Sequence, residues 1–454
     1  MPARLNRRAF LKSAGTTALA GAAGTRIAPT IAATPAASAR KSKFDLDNVY
    51  NRVGTDCSKW DKQIEKFGRD NLAVPMGVAD MDFKGAPCIT EALAERIQHE
   101  NYGYLDIPDS YNESIINWNK QRYGLDIESD WLMNANGVNP AMLSAMRAFA
   151  PPGSKVVVHA PTYSAFYSNI ENAGCVAEEN PLKFSDGRYS FDFEDLERRC
   201  ADPQAKALIL CNPNNPTGNC WSLADQTTVG EICARHGVVV LADEIHCDFV
   251  NHGHRYIPFA SIDDETVVRN SVTFKSTSKS FNLSATKCAY MFSTNPDLLA
   301  KIKATGHNRS VNTLGVVASE AAYNEGGPWL DEVVAYIDGN MQFAADFIKA
   351  NVPLIDFVKP EGTYLAWLDT SQLQQKIGAE ELAAEANKAR EPDTPELVPS
   401  QMVGKYLLDN AGIYLNDGFH YGYGGSSCTR MNLATSRKLV ELALDNIASA
   451  TKKV

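Results

Sequence analysis

Between about residues 150 and 295 the chain alternates short apolar runs rich in β-branched residues with stretches of helical periodicity. The runs are 155–159, 206–211, 237–242, 267–274 and 288–293. Their short length and continuous apolar character predict strands buried on both faces. Strands alternating with helices predict an α/β unit around a largely parallel sheet. Beyond about residue 330, amphipathic helices and a few short strands predict a smaller α+β domain. The expected organisation is a segment at 40–84 packing with the small domain, a large domain at 85–330 and a small one at 331–454. Residues 371–400 carry Glu391-Pro392-Asp393 and Pro395, and read as a helix followed by a surface loop.

A length of 454 residues suits two domains, since single cores stop growing near about 250–300 residues. The formal charge of -10 argues against a nucleic-acid or anionic-membrane partner. The first residues differ in kind. Asn6-Arg7-Arg8-Ala9-Phe10-Leu11-Lys12, followed by Ala, Gly and Thr up to about Ala39, resembles a twin-arginine export signal. Ala37-Ser38-Ala39 offers a cleavage site, and Gly24, Arg26 and Pro29 interrupt the apolar part too often for a spanning helix. Residues 1–39 are therefore read as a signal, and export or a periplasmic location is expected; a disordered basic tail on a cytoplasmic protein is the alternative. The ten cysteines form no Cys-x-x-Cys pair and no His/Cys cluster, so no metal site is expected. Most should be buried free thiols, and the sequence assigns no disulfide.

Polar clusters follow three of the apolar runs: Asn212-Pro213-Asn214-Asn215-Pro216-Thr217-Gly218, Asp243-Glu244-Ile245-His246 and Ser276-Thr277-Ser278-Lys279-Ser280-Phe281-Asn282. Each alone has an ordinary reading, as a turn, a helix N-cap or a solvated loop. In open α/β sheets, however, ligands collect at the carboxyl ends of strands. Pyridoxal phosphate needs an amine for a Schiff base, an acid for its ring nitrogen, an aromatic cover and donors around its phosphate. Lys279 and Asp243 match the first two needs.

With these motifs the sequence resembles the fold-type I pyridoxal-phosphate enzymes, the aminotransferase class I/II superfamily, over essentially everything after about residue 44. Gly77-Val78-Ala79-Asp80-Met81-Asp82-Phe83, Asp243-Glu244-Ile245-His246-Cys247-Asp248-Phe249 and Ser278-Lys279-Ser280-Phe281-Asn282-Leu283 are most similar to its cystathionine β-lyase, or cystalysin-like C–S lyase, branch. The resemblance implies Lys279 as Schiff-base lysine, Asp243 as partner of the ring nitrogen, Asn215 on the phenolic oxygen and Tyr163 stacked on the ring. It also implies a cofactor contact for His246, where relatives outside the branch usually carry tyrosine. Gly137, Val138 and Asn139 would give backbone donors to the phosphate at the start of a helix over 141–149, with Pro140 at its first position. Ser276 and Ser278 would add hydroxyls. Lys287 stands where many relatives place arginine, which keeps the charge and loses the fork.

Arg430, in Cys428-Thr429-Arg430-Met431-Asn432-Leu433, matches the family arginine that clamps the substrate α-carboxylate. Tyr104, in Tyr102-Gly103-Tyr104, matches a tyrosine given across a dimer interface, so a homodimer is implied. The segment 416–425 departs from the usual Gly-rich pattern through His420, Tyr421 and Tyr423, which bears on substrate identity. The expected reaction is β-elimination from an L-cysteine S-conjugate, giving thiol, pyruvate and ammonia. Transamination is the main alternative; racemisation and a non-catalytic pyridoxal-phosphate-binding regulator are minor ones.

Overall fold

A computed structural model describes residues 43–307, 310–391 and 393–454. The signal-like segment 1–39 lies outside the described residues. Phe44 to Val454 forms one compact unit by its contacts. Its centre is a seven-stranded sheet built from β1 (Leu132–Ala135), β2 (Lys155–Ala160), β3 (Val176–Pro181), β4 (Ala205–Cys211), β5 (Val239–Asp243), β6 (Ser271–Lys275) and β7 (Ala289–Phe292). The strand order is β1-β7-β6-β5-β4-β2-β3. Only β7 runs against the rest. The continuous apolar runs are explained by burial: Leu208, Ile209 and Leu210 of β4 are at most 1 % exposed, each contributing about 1.5–3 kcal/mol.

Most strand ends fall within two residues of the sequence expectation, and two boundaries differ more. Val267 and Val268 belong to a helical turn, Glu265–Arg269, not to the strand that follows. Asp264 caps this turn by accepting from the Thr266 and Val267 amides, and the cap outweighs the β preference of two valines. The helix expected over 141–149 starts earlier, as α1 (Val138–Phe149). Pro140 is tolerated at its third position because the first four N–H groups of a helix have no intrahelical acceptor.

Residues 371–400 hold two helices, Ser371–Lys376 and Ala379–Lys388, before the loop. A second sheet is formed by β8 (Leu365–Asp369), β9 (Asn416–Asp417) and β10 (Cys428–Asn432), ordered β8-β10-β9. Val74–Pro75 pairs in parallel with Ile413–Tyr414, which ties the chain before residue 85 to this C-terminal region. All ten cysteines are free, eight of them buried. Among the described residues no helix is long and apolar enough to cross a membrane.

Candidate active site

Because six strands point the same way, their carboxyl ends share one edge of the sheet, and the candidate residues follow those ends. Gly137 follows β1, Tyr163 follows β2, Asn215 follows β4, Asp243 ends β5 and Lys279 follows β6. Antiparallel β7 begins at this edge, Ala289 opposite Ala135, which brings Lys287 to the same side. Lys287 is exposed, with φ +53.

Lys279 lies in the short helix Thr277–Ser280, capped by Ser276. The Ser276 hydroxyl accepts from the Ser278 amide and donates to the Cys288 carbonyl at 2.8 Å, so it anchors the loop to β7. Lys279 Nζ donates to the Ala79 carbonyl at 2.7 Å. Burial, helped by the charge of Arg430, pushes its ammonium down to about 8. Asp243 is 4 % exposed, and its Oδ1 accepts from the Ile245 amide at 3.1 Å. Burial, with Glu244 adding repulsion, pushes this carboxyl up to about 7. A buried carboxylate so poorly compensated fits a site that receives a cationic N–H. His246 points the same way. Its Nδ1 is buried without a hydrogen-bond partner among the described residues, and burial, then Lys279 and Arg430, holds the ring well below the usual histidine range.

Tyr163 caps α2 (Ser164–Asn172), with the Asn139 side chain beside its hydroxyl. Gly137, at φ +153, caps α1; Val138 and Asn139 open that helix, whose leading amides face no intrahelical acceptor. The buried Asn215 accepts from Arg430 Nη1 at 3.0 Å. Arg430 Nη2 donates to the Gly77 carbonyl at 2.9 Å. A Cβ added at Gly77 would lie 2.6 Å from Asn416 Oδ1 and 2.7 Å from a Tyr414 ring carbon, so any larger residue would displace those side chains. Ser278 is partly buried in the Lys279 turn. Tyr104 is fully exposed.

The sequence reading did not find several residues that shape this site. The Ala79 carbonyl that receives Lys279 also accepts from the buried Tyr364 hydroxyl at 3.0 Å. Tyr364 sits in an apolar run, and nothing in the sequence sets it apart. Asn432 Nδ2 donates to the Val78 and Asp80 carbonyls at 2.7 and 2.6 Å, and Asn282 brackets Met81 with two bonds of 2.9 Å. The available signal for Asn432 was its spacing: two residues past Arg430 on a strand, it shares that face. Arg52 grips Asp80 with both terminal nitrogens, at 2.8 and 2.9 Å. Segment 77–82 is thereby fixed against Lys279.

Known proteins share the sequence pattern and the fold. Residues 73–447 match the family model described as aminotransferase class I and II. The chain is 36 % identical to cystathionine beta-lyase PatB of Bacillus subtilis, over 90 % of this chain and 100 % of the relative. It is 31 % identical to protein MalY of Escherichia coli, with the same coverage. The crystal structure of cystalysin from Treponema denticola, which contains a pyridoxal 5'-phosphate cofactor, superimposes with a TM-score of 0.82 at 29 % identity, covering 90 % of this chain and 99 % of that one. The fold is therefore the fold-type I α/β fold expected above, and the chain belongs to the aminotransferase class I and II family.

Proposed function

We propose that this protein is a pyridoxal-phosphate-dependent C–S β-lyase that converts an L-cysteine S-conjugate and water to thiol, pyruvate and ammonia, the Cβ–S bond breaking as the thiolate leaves and water then releasing the ammonia. The observation that carries the choice of reaction is the 36 % identity to a cystathionine β-lyase along that relative's full length, with lysine, aspartate and arginine all in place. Lys279 would hold the cofactor aldehyde carbon, Asp243 the ring nitrogen and Asn215 the phenolic oxygen. Tyr163 and His246 would contact the ring. The amides of Gly137, Val138 and Asn139, with Ser276, Ser278 and Lys287, would surround the phosphate. When bound, pyridoxal phosphate supplies an electron sink for the charge left when Cα loses its proton.

The chain's own groups do the rest. Arg430 binds the substrate α-carboxylate and, with Asn215, fixes its orientation. Lys279, brought down to about 8, carries far more neutral amine than an ordinary lysine once the pH approaches that value, and takes the Cα proton as general base. Asp243 keeps its charge once a cationic N–H faces it. The fixed 77–82 segment offers the Ala79 carbonyl as an acceptor for the lysine amine.

The test is to add L-cystathionine, L-cysteine or an S-alkyl-cysteine to purified holoenzyme and follow the visible cofactor band with pyruvate and thiol. Release of both products that disappears in Lys279→Ala supports the reading; an unchanged band with every amino acid contradicts it and would indicate a non-catalytic binding protein. Transamination is the second reading, favoured by the family description.

Assembly and location belong to the same proposal. The protein is a homodimer in which Tyr104 reaches the neighbouring site, which accounts for a fully exposed tyrosine. Mixing inactive Tyr104→Ala and Lys279→Ala subunits restores activity if Tyr104 acts in trans, and restores none if it does not. The chain divides into a cofactor-holding part at 85–330 and a smaller part at 331–454, which takes in 40–84. Residues 1–39 direct export of the folded protein; a reporter carrying residues 1–45 is retained in the cytoplasm once Arg7 and Arg8 are replaced, and equal export of that variant would refute the signal.

A further inference from the structure

Arg430 has few partners for a buried cation. It is 2 % exposed, Nη1 and Nη2 each donate one bond to a neutral acceptor, and Nε is buried without a hydrogen-bond partner among the described residues. The group facing it is the ring of Tyr421, 5.2 Å from the guanidinium carbon to the ring centroid and itself 2 % exposed. A buried guanidinium is attracted to the face of an aromatic ring, and the attraction grows when both are shielded from water. A carboxylate in that place would also stabilise the cation, but it would occupy its N–H groups. A ring occupies none.

Tyr421 is held by the two residues that flank Arg430 across the sheet. In the ladder Arg430 lies opposite Trp367 of β8 and Asn416 of β9. The Tyr421 ring meets Trp367 edge to face at 5.3 Å, and its hydroxyl accepts from Asn416 Nδ2 at 3.3 Å. Its carbonyl accepts from the Thr162 amide at 2.8 Å, one residue before the ring-covering Tyr163. Gly422 then turns the chain at φ +86, where an added Cβ would fall 1.8 Å from the Tyr167 hydroxyl. The bulky residues of segment 416–425 thus place one aromatic ring against the arginine.

We propose that Tyr421 is a positioning residue for substrate binding. Its ring holds the Arg430 guanidinium in place and stabilises the charge while leaving the N–H groups not given to Asn215 and Gly77 free for the α-carboxylate. This rests on the reading of Arg430 as the carboxylate anchor. The test uses holoenzyme and the visible cofactor band, titrated with S-ethyl-L-cysteine and with S-ethylcysteamine, the same molecule without its carboxylate. Tyr421→Leu is expected to raise KM and the dissociation constant for the amino acid about tenfold, with kcat within about twofold and amine binding unchanged. Tyr421→Phe restores binding to within about twofold, because the ring is kept.

Pentafluorophenylalanine at position 421 keeps the ring's shape and removes its negative face, so it weakens amino-acid binding about fivefold relative to phenylalanine. This comparison decides the matter if the leucine variant folds badly. Equal losses for amino acid and amine, or no difference between phenylalanine and its fluorinated form, overturn the proposal for Tyr421 alone. Wild-type protein that binds both compounds equally overturns the carboxylate role of Arg430, and the proposal with it.

Discussion

The edge of the seven-stranded sheet and the three-stranded sheet around Arg430 build their chemistry differently. At the large sheet each candidate group sits within a few residues of a strand end, so one local pattern, an apolar run closed by a polar cluster, delivers Lys279, Asp243 and Asn215 to a shared edge. Around Arg430 the partners come from separate parts of the chain: Gly77, Asn215 and Trp367 from distant segments, and Asn416 and Tyr421 from the nearby 416–425 segment. The first arrangement suits a constant task, holding a cofactor; the second suits a variable one, since a loop can change without disturbing the sheet. Losses at the first should therefore appear in kcat, and losses at the second in KM.

The largest expected effect comes from Lys279→Ala, which removes the proposed general base and should lower kcat by at least about 10²–10⁴-fold. Measured single-turnover rates that stay near wild type would erase the distinction drawn here. Arg430→Ala should raise KM by about a hundredfold, as expected for losing charge-assisted hydrogen bonds, with kcat much less changed. A fall confined to kcat would reverse the assignment of the two regions.

The pH profile of kcat sharpens the role of the lysine. A general base works in its neutral form, and burial followed by the charge of Arg430 brings Lys279 down to about 8. Activity should therefore drop about tenfold per unit below that pH and level off above it. A limb near the ordinary lysine value would assign proton transfer to another group. The smallest effect should come from Tyr167→Phe. The Tyr167 hydroxyl donates to Glu179 at 2.5 Å, and Glu179 also accepts from the Tyr423 amide at 3.2 Å. Loosening that clasp should raise KM about threefold and leave kcat and cofactor loading unchanged, in keeping with one lost hydrogen bond.

This contrast also explains what the sequence reveals. The strands of the large sheet and the groups at their ends are legible because both follow from short-range patterning. Val267 and Val268 mislead, since β-branched residues suggest a strand while the Asp264 cap makes a helical turn. Arg430 is recognisable through its motif, but the contact with Tyr421 and the bond from Tyr364 to the Ala79 carbonyl are not. The Tyr364 bond depends on how the C-terminal region lies against a segment hundreds of residues earlier, and the Tyr421 contact on how the 416–425 segment folds back over Arg430; no local periodicity encodes either. Tyr104 illustrates the same limit, because its proposed site lies on another chain.

The most direct measurement is the dependence of turnover on an acceptor. Purified holoenzyme is given an S-alkyl-L-cysteine with no α-keto acid present, and pyruvate and thiol are followed over many turnovers. Steady release of both in equal amounts is the result the lyase account predicts. Conversion of the cofactor to its amine form after one turnover, with activity resuming only when an α-keto acid is added, would contradict it and identify an aminotransferase.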